Sequence, residues 1–237
     1  MNTLLVCTAT RVEHDACAEA IRTAGARRLE SLLVGVGPGH AARRLRERLT
    51  RKPTPTRILS TGFAGALSAD VPVGAWIDAQ ALFEWKGGVL TPVAAGAPSV
   101  ATAANFPSLS CELISADHFV GRDSPLRSLR CASNRPRVID MESAALAREA
   151  ATRGIAFSVA RVVSDTPDQP LPEFLEPFSA ALAGSDAWLR VALTARGFGS
   201  ALADPRGIAR LLSVGRRLTK QLRLDFARLA RQLDIEA

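Results

Sequence analysis

Three acidic side chains and one glycine-rich turn sit where strands of this chain should end. Glu13 follows the apolar run Leu4–Ala9, and Thr61-Gly62-Phe63-Ala64-Gly65-Ala66 follows Arg57–Ser60. Met141-Glu142 follows Arg137–Asp140, and Asp165 follows the nearly continuous apolar run Ile155–Ser164. In an open α/β sheet, ligands bind outside the carboxyl ends of the strands, so these groups would share one crevice. Carboxylates gathered there can act as general acid, as general base, or as acceptors for sugar hydroxyls. Scission of a glycosidic bond uses such a set. One group protonates the leaving group, another directs the nucleophile, and the rest stabilise an oxocarbenium-like transition state. Each residue also has a plainer reading. Asp165 in Ser-Asp-Thr-Pro could cap a turn, and Glu13 could be a first-turn helix acid favoured by the macrodipole.

The elements that must position these groups alternate strand and helix with short connections, which predicts a single α/β domain with a mostly parallel central sheet flanked by helices. The pattern predicts strands over Leu4–Ala9, Ser31–Val36, Arg57–Ser60, Val71–Gln80, Glu112–Ser115, Arg137–Asp140 and Ile155–Ser164. Helices are predicted over Glu13–Ala24, closed by Gly25, and over Ala41–Leu49. An Ala-rich helix after Glu142 is stopped by Gly154, as a C-cap glycine stops a helix. The fold domain is expected to span residues 1–204, with a basic amphipathic C-terminal helix over 205–237. Its apolar positions Ile208, Leu211, Leu212, Leu218, Leu222, Phe226, Leu229 and Leu233 follow a helical period.

Composition narrows the class. With 47% hydrophobic and 22% charged residues in 237, the chain can bury one substantial core and is not disordered. Cys7, Cys17, Cys111 and Cys131 lack metal-type spacing and form no dense framework, so they read as reduced thiols; no metal site and no cofactor are expected. Met1–Thr10 lacks a basic n-region and a cleavage site, and no apolar stretch is long enough to span a bilayer. The expected localisation is cytoplasmic. The net charge is +7, and between Pro205 and Gln232 eight basic residues face one acid, Asp225. Arginine supplies nearly all the positive charge, which lowers the functional weight of any single arginine.

Several segments together resemble the nucleoside phosphorylase and nucleosidase superfamily, which includes purine nucleoside phosphorylases and methylthioadenosine/S-adenosylhomocysteine nucleosidases. They are CTATRVEHDA, VGVGPGHAA, TGFAGAL, ISADHFV, DMESAALA and FSVARVVSDTPDQ, in the family's order between Leu4 and Gln169. The resemblance implies that Asp165 would protonate or hydrogen-bond purine N7. Glu142 would accept the ribose 2′- and 3′-hydroxyls, with Met141 packed against the sugar. Phe119 would stack on a base bordered by the backbone of Ala64 and Gly65, and Glu13 matches the acid that activates water in the nucleosidase branch. Phe119 and Met141 could equally be core residues. Gly37 and Gly39 could bind phosphate or simply permit a tight turn. Phe63 stands where many relatives carry a small hydroxyl residue, which weakens a phosphate site, and Arg43, Arg44 and Arg122 have no special standing as phosphate ligands. The family implies a homo-oligomer, with inorganic phosphate as the one possible co-substrate.

The tail leaves two readings open. It can pack on the domain with a solvated basic side, or rest on an anionic membrane surface. A compact core with a basic helical tail is also similar to hopanoid-associated phosphorylases, which implies a lipid 5′ substituent and contact with the inner face of the membrane. The lack of basic–aromatic interleaving argues against nucleic acid. The sequence therefore points to release of a purine base from a nucleoside or 5′-modified adenosine, with water or phosphate as acceptor. A nucleoside-binding protein without turnover at a membrane surface is the alternative.

Overall fold

The computed structural model describes residues 3–93, 105–121, 126, 135–172, 174–177, 180, 194, 196, 197 and 199–236. Eight strands form one sheet: β1 (Leu4–Thr8), β2 (Leu29–Leu33), β3 (Arg57–Ala66), β4 (Trp76–Lys86), β5 (Val89–Val93), β6 (Leu109–Ala116), β7 (Arg137–Asp140) and β8 (Ala156–Asp165). Helices α1 (Arg11–Ala24), α2 (Pro38–Leu49), α3 (Ser143–Ala151) and α4 (Pro205–Glu236) pack against it.

Parallel pairings join β1 to β2 and β3, β3 to β8, β4 to β6, and β6 to β7. Antiparallel pairings join β3 to β7, β4 to β5, and β4 to β8. The sheet is thus mixed with a parallel majority. Its pairings also close a ring, β3–β8–β4–β6–β7 and back to β3, which alternation along the chain does not reveal. The closure depends on the far end of β3, which continues six residues beyond the Arg57–Ser60 segment expected from apolar content. Gly62 adopts a φ of 130° there, a conformation that side-chain-bearing residues rarely take. A bulge follows between Ala64 and Gly65, so that Gly65 lies between Ile139 of β7 and Asp165 of β8.

The other boundaries shift for local reasons. The strand expected over Val71–Gln80 begins at Trp76, because residues 72–75 make a turn closed by the Ala75 N–H to the Pro72 carbonyl, 3.1 Å. The segment expected over Ser31–Val36 pairs only over Leu29–Leu33, and Val34 donates instead to the Thr8 carbonyl at 2.9 Å. Helix α1 is fixed at both ends. Thr10 and Glu13 form a capping box, and Gly25 closes the helix in the left-handed conformation.

The core has two layers. On one side, α2 and α3 cover the sheet through Leu45, Leu49, Leu146 and Ala150. On the other, α1 and α4 pack together and onto β1 and β3 through Cys17, Ile21, Leu218, Leu222 and Phe226. Polar bonds pin the C-terminal half of α4: Trp76 Nε1 donates to Asp225 at 3.1 Å, and Arg223 pairs with Glu19 at 3.1 Å. Burial pushes the Cys7 and Cys111 thiols up to about 12, which leaves them inert. No described helix is long and apolar enough to cross a membrane.

Candidate active site

Glu13 is the first-turn acid of α1, and it also reaches across to β3. One carboxylate oxygen, Oε2, accepts the Thr10 N–H and hydroxyl at 2.7 and 2.8 Å, completing the α1 capping box. The other, Oε1, accepts the Phe63 N–H at 2.7 Å and so ties the end of β1 to the end of β3. A Cβ on Gly62 would collide with this carboxylate, so the glycine is needed both for its φ and for the space it leaves. The side chain is 3% exposed.

Glu142 is the N-cap residue of α3, yet its side chain does not cap that helix. Asp140 does so, accepting the Ser143 N–H at 3.3 Å and the Ser143 hydroxyl. Glu142 instead reaches across to α2, where its Oε1 accepts the Gly37 N–H at 2.8 Å. That amide is committed to a carboxylate, so Gly37 serves to hold Glu142 at the mouth of α2. Glycine suits the position, because its φ is 86°.

The largest group absent from the sequence reading is Arg161. It lies within the apolar run of β8 and is 1% exposed. Its guanidinium pairs with Asp140 at 2.6 Å and stands 3.8 Å from Glu142. It also donates to the Phe63 carbonyl at 3.1 Å and to the Ser60 hydroxyl at 2.9 Å. One cation therefore sits among Asp140, Glu142 and the strand end that holds Glu13. The signal was present: an arginine inside FSVARVVSD, a strand buried on both faces, must bring its own counter-charge. Its prevalence elsewhere in the chain hid it. Burial, and next the Asp140 carboxylate, push the Glu142 carboxyl up to about 7, against the opposing pull of Arg161 and the Gly37 amide.

Asp165 ends β8 in a different setting. The Ser164 hydroxyl donates to its Oδ1 at 2.6 Å, and its carboxylate lies directly against the Cα of Gly65, where a Cβ would be 3.0 Å from Oδ2. Gly65 thus clears room for the acid. Asp165 opens onto a cavity of about 740 Å³ that Phe119, in the segment after β6, also lines. Pro170, Phe174, Arg206 and Arg210 complete much of the wall. Ala64 is buried in the core, and its carbonyl accepts the Ser164 hydroxyl at 3.2 Å. Met141 is half-buried between β7 and α3. Arg43 and Arg44 face solvent on α2 and bond to Glu47 there; Arg122 lies outside the described residues, as do Cys131 and the chain beyond Asp234 for its side chains. No cluster of three or more metal-ligating side chains occurs among the described residues.

A second concavity, an apolar groove of about 890 Å³, starts beside the same site at Thr10, Phe63 and Ser164. It runs between α1 and the N-terminal half of α4, past Leu171, Leu211 and Leu212.

Solved structures share this architecture. The 5′-methylthioadenosine/S-adenosylhomocysteine nucleosidase of Neisseria meningitidis, solved with methylthio-immucillin-A, superposes with a TM-score of 0.59 at 18% identity, over 85% of this chain and 99% of that one. The chain has a nucleosidase fold. The corresponding Helicobacter pylori nucleosidase, solved with butyl-thio-DADMe-Immucillin-A, gives 0.59 at 14% identity, over 82% and 98%. Futalosine hydrolase of Helicobacter pylori gives 0.57 at 14% identity, over 84% and 97%. No protein-family model and no curated protein sequence matches the chain. The resemblance carried by the sequence motifs thus has its counterpart in a nucleosidase fold covering more than four-fifths of the chain.

Proposed function

We infer that this protein hydrolyses the N-glycosidic bond of a purine nucleoside or 5′-modified adenosine and releases the base, with water as acceptor. One observation carries the reading: Asp165 lines a cavity beside Phe119, and the neighbouring strand ends hold two fixed, buried carboxylates, Glu13 and Glu142, which Phe63 and Arg161 tie together. Asp165 gives a proton or a strong hydrogen bond to N7 of the base, so that the C1′–N9 electrons leave onto a neutral purine. Phe119 supplies a stacking face for that purine. Glu142 accepts the ribose 2′- and 3′-hydroxyls and holds the sugar as C1′ gains positive charge. Glu13 takes a proton from water as the water oxygen bonds to C1′. Asp165 then regains a proton from solvent and Glu13 releases the one it took, which balances the cycle.

Two features support water over phosphate. The Gly37 amide, the phosphate donor suggested by the sequence, already donates to Glu142. The Phe63 side chain, in place of a small hydroxyl, joins the apolar layer and the wall of the groove. The nucleosidase neighbours were solved with alkylthio analogues, methylthio-immucillin-A and butyl-thio-DADMe-Immucillin-A. In this chain the groove that starts at Thr10, Phe63 and Ser164 offers apolar space for such a group. The test is base release from adenosine and from analogues with 5′-thioalkyl chains of increasing length, in phosphate-free buffer. Adenine release, fastest with the more apolar analogues, is the expected result. Absence of release from every analogue, with or without phosphate, contradicts the reading.

A further inference from the structure

We propose that the N-terminal half of α4, with the neighbouring turn of α1, docks on the surface of an anionic lipid bilayer. The two halves of this 32-residue helix are built differently. From Leu218 onward its apolar face is covered: Leu218, Leu222, Phe226, Leu229 and Leu233 are buried against α1 and the sheet. Before Leu218 the helix carries Leu211 and Leu212 along the rim of a groove that Val12 of α1 borders from the other side. Leu212 is 52% exposed and Val12 is 54% exposed.

The charge around this apolar rim has one sign. From Pro205 to Leu224 the helix has six basic residues and no acid. Arg223 pairs with Glu19. Arg206, Arg210, Arg216, Arg217 and Lys220 make no ion pair among the described residues, although Asp204 caps the helix nearby through the Gly207 N–H. At 100° per residue these five fall within an arc of about 120°, opposite the packed face, with the half-exposed Leu224 among them. The acids on the α1 side are already engaged: Asp15 faces Arg11 at 3.9 Å and Glu19 faces Arg223.

Cations that make no ion pair among the described residues, with exposed Leu224 among them and exposed Leu212 and Val12 beside them, match an interface with charged headgroups above and acyl chains below. A nucleic-acid surface would use the cations and leave Val12, Leu212 and Leu224 in water. The lipid surface is therefore the better match for both kinds of side chain. Docking there would also bring the mouth of the groove, and the site behind it, to the bilayer. The proposal does not depend on which reaction that site performs.

The experiment is co-sedimentation of the full chain with vesicles of phosphatidylcholine alone and of phosphatidylcholine with 30% phosphatidylglycerol. Binding only to the anionic vesicles is expected, and it should weaken as salt is raised. The triple variant Arg216→Glu, Arg217→Glu, Lys220→Glu should lose on the order of a hundredfold or more in affinity, since each basic residue contributes roughly fivefold. Leu212→Ser, which leaves the charge unchanged, should reduce binding as well, which a purely electrostatic contact would not show. Melting temperature and hydrodynamic mass of each variant check that fold and assembly are unchanged. Equal binding to neutral vesicles, no binding of the wild type, or a change of oligomeric state in the triple variant would overturn the proposal. So would tighter retention by double-stranded DNA or RNA than by the anionic vesicles.

Discussion

The ends of β7 and β8 each present buried acid, but the acids of β7 are sealed among charge partners, whereas Asp165 of β8, 7% exposed, borders a cavity and is the open end of the two. Around β7, Asp140 and Glu142 are buried, share the cation of Arg161, and take hydrogen bonds from Ser143 and Gly37. At β8, Asp165 is bonded by its neighbour Ser164, rests against a glycine, and faces an open cavity shared with Phe119. A sealed, charge-balanced end suits a group that must hold a sugar in one position through the reaction. An open end suits a group that must meet a leaving base and exchange a proton with solvent. Glu13 belongs with the sealed end, since its two oxygens are tied to Thr10 and Phe63.

The largest expected effect comes from the open end. Asp165→Asn should lower kcat for base release by roughly a thousandfold, as loss of a general acid commonly does. Its melting temperature should stay close to wild type. A large fall in stability with little fall in kcat would reverse the assignment of the two ends.

Arg161→Met should have the opposite profile. It leaves Asp140 and Glu142 buried together without their cation, which should cost about 3–5 kcal/mol in chemical denaturation. A variant as stable as wild type would show that the sealed end does not depend on its ion pair.

Glu142→Gln sharpens the comparison through pH. The Glu142 carboxyl is raised from 4.5 to about 7, so in the folded protein it holds its proton to a higher pH than in the unfolded chain. Stability from this group is therefore gained as pH falls from about 7 towards 4.5, and the ionised form carries a cost above pH 7. Binding runs the other way, because the carboxylate is the better acceptor for the ribose hydroxyls. KM for the nucleoside should fall as pH rises through about 7, while the melting temperature declines as pH rises from about 4.5 to 7 and then levels off. Both slopes should flatten in Glu142→Gln. If they persist in the variant, another group titrates.

The smallest contrast lies in α4. Leu222→Ala, in the packed half, should cost about 2–5 kcal/mol as a large-to-small core change. Leu212→Ala, at the exposed rim, should cost about 0.5 kcal/mol or less.

Much of this arrangement was legible in the sequence, and the parts that were not share a cause. The strand Arg137–Asp140 and the start of the helix after Glu142 follow from local apolar pattern and strand length. Glu13, Glu142 and Asp165 were legible because carboxylates at strand ends are conspicuous. Local pattern carries no record of partners far along the chain. The antiparallel closures of β3 on β7 and of β4 on β8 depend on a bulge at Gly65 and a bend at Gly62. The bond from Gly37 to Glu142 spans 105 residues. Arg161 was masked by the abundance of arginine, although its place within a doubly buried strand distinguishes it from the rest.

The most direct test of the account is to follow the sugar product. Purified protein is given a 5′-thioalkyl adenosine in buffer without phosphate and in buffer with phosphate, and the products are separated and identified. The account predicts adenine and a free reducing sugar at the same rate in both buffers, with Asp165→Asn slow in each. A sugar 1-phosphate formed only when phosphate is present, or no adenine in either buffer, would contradict it.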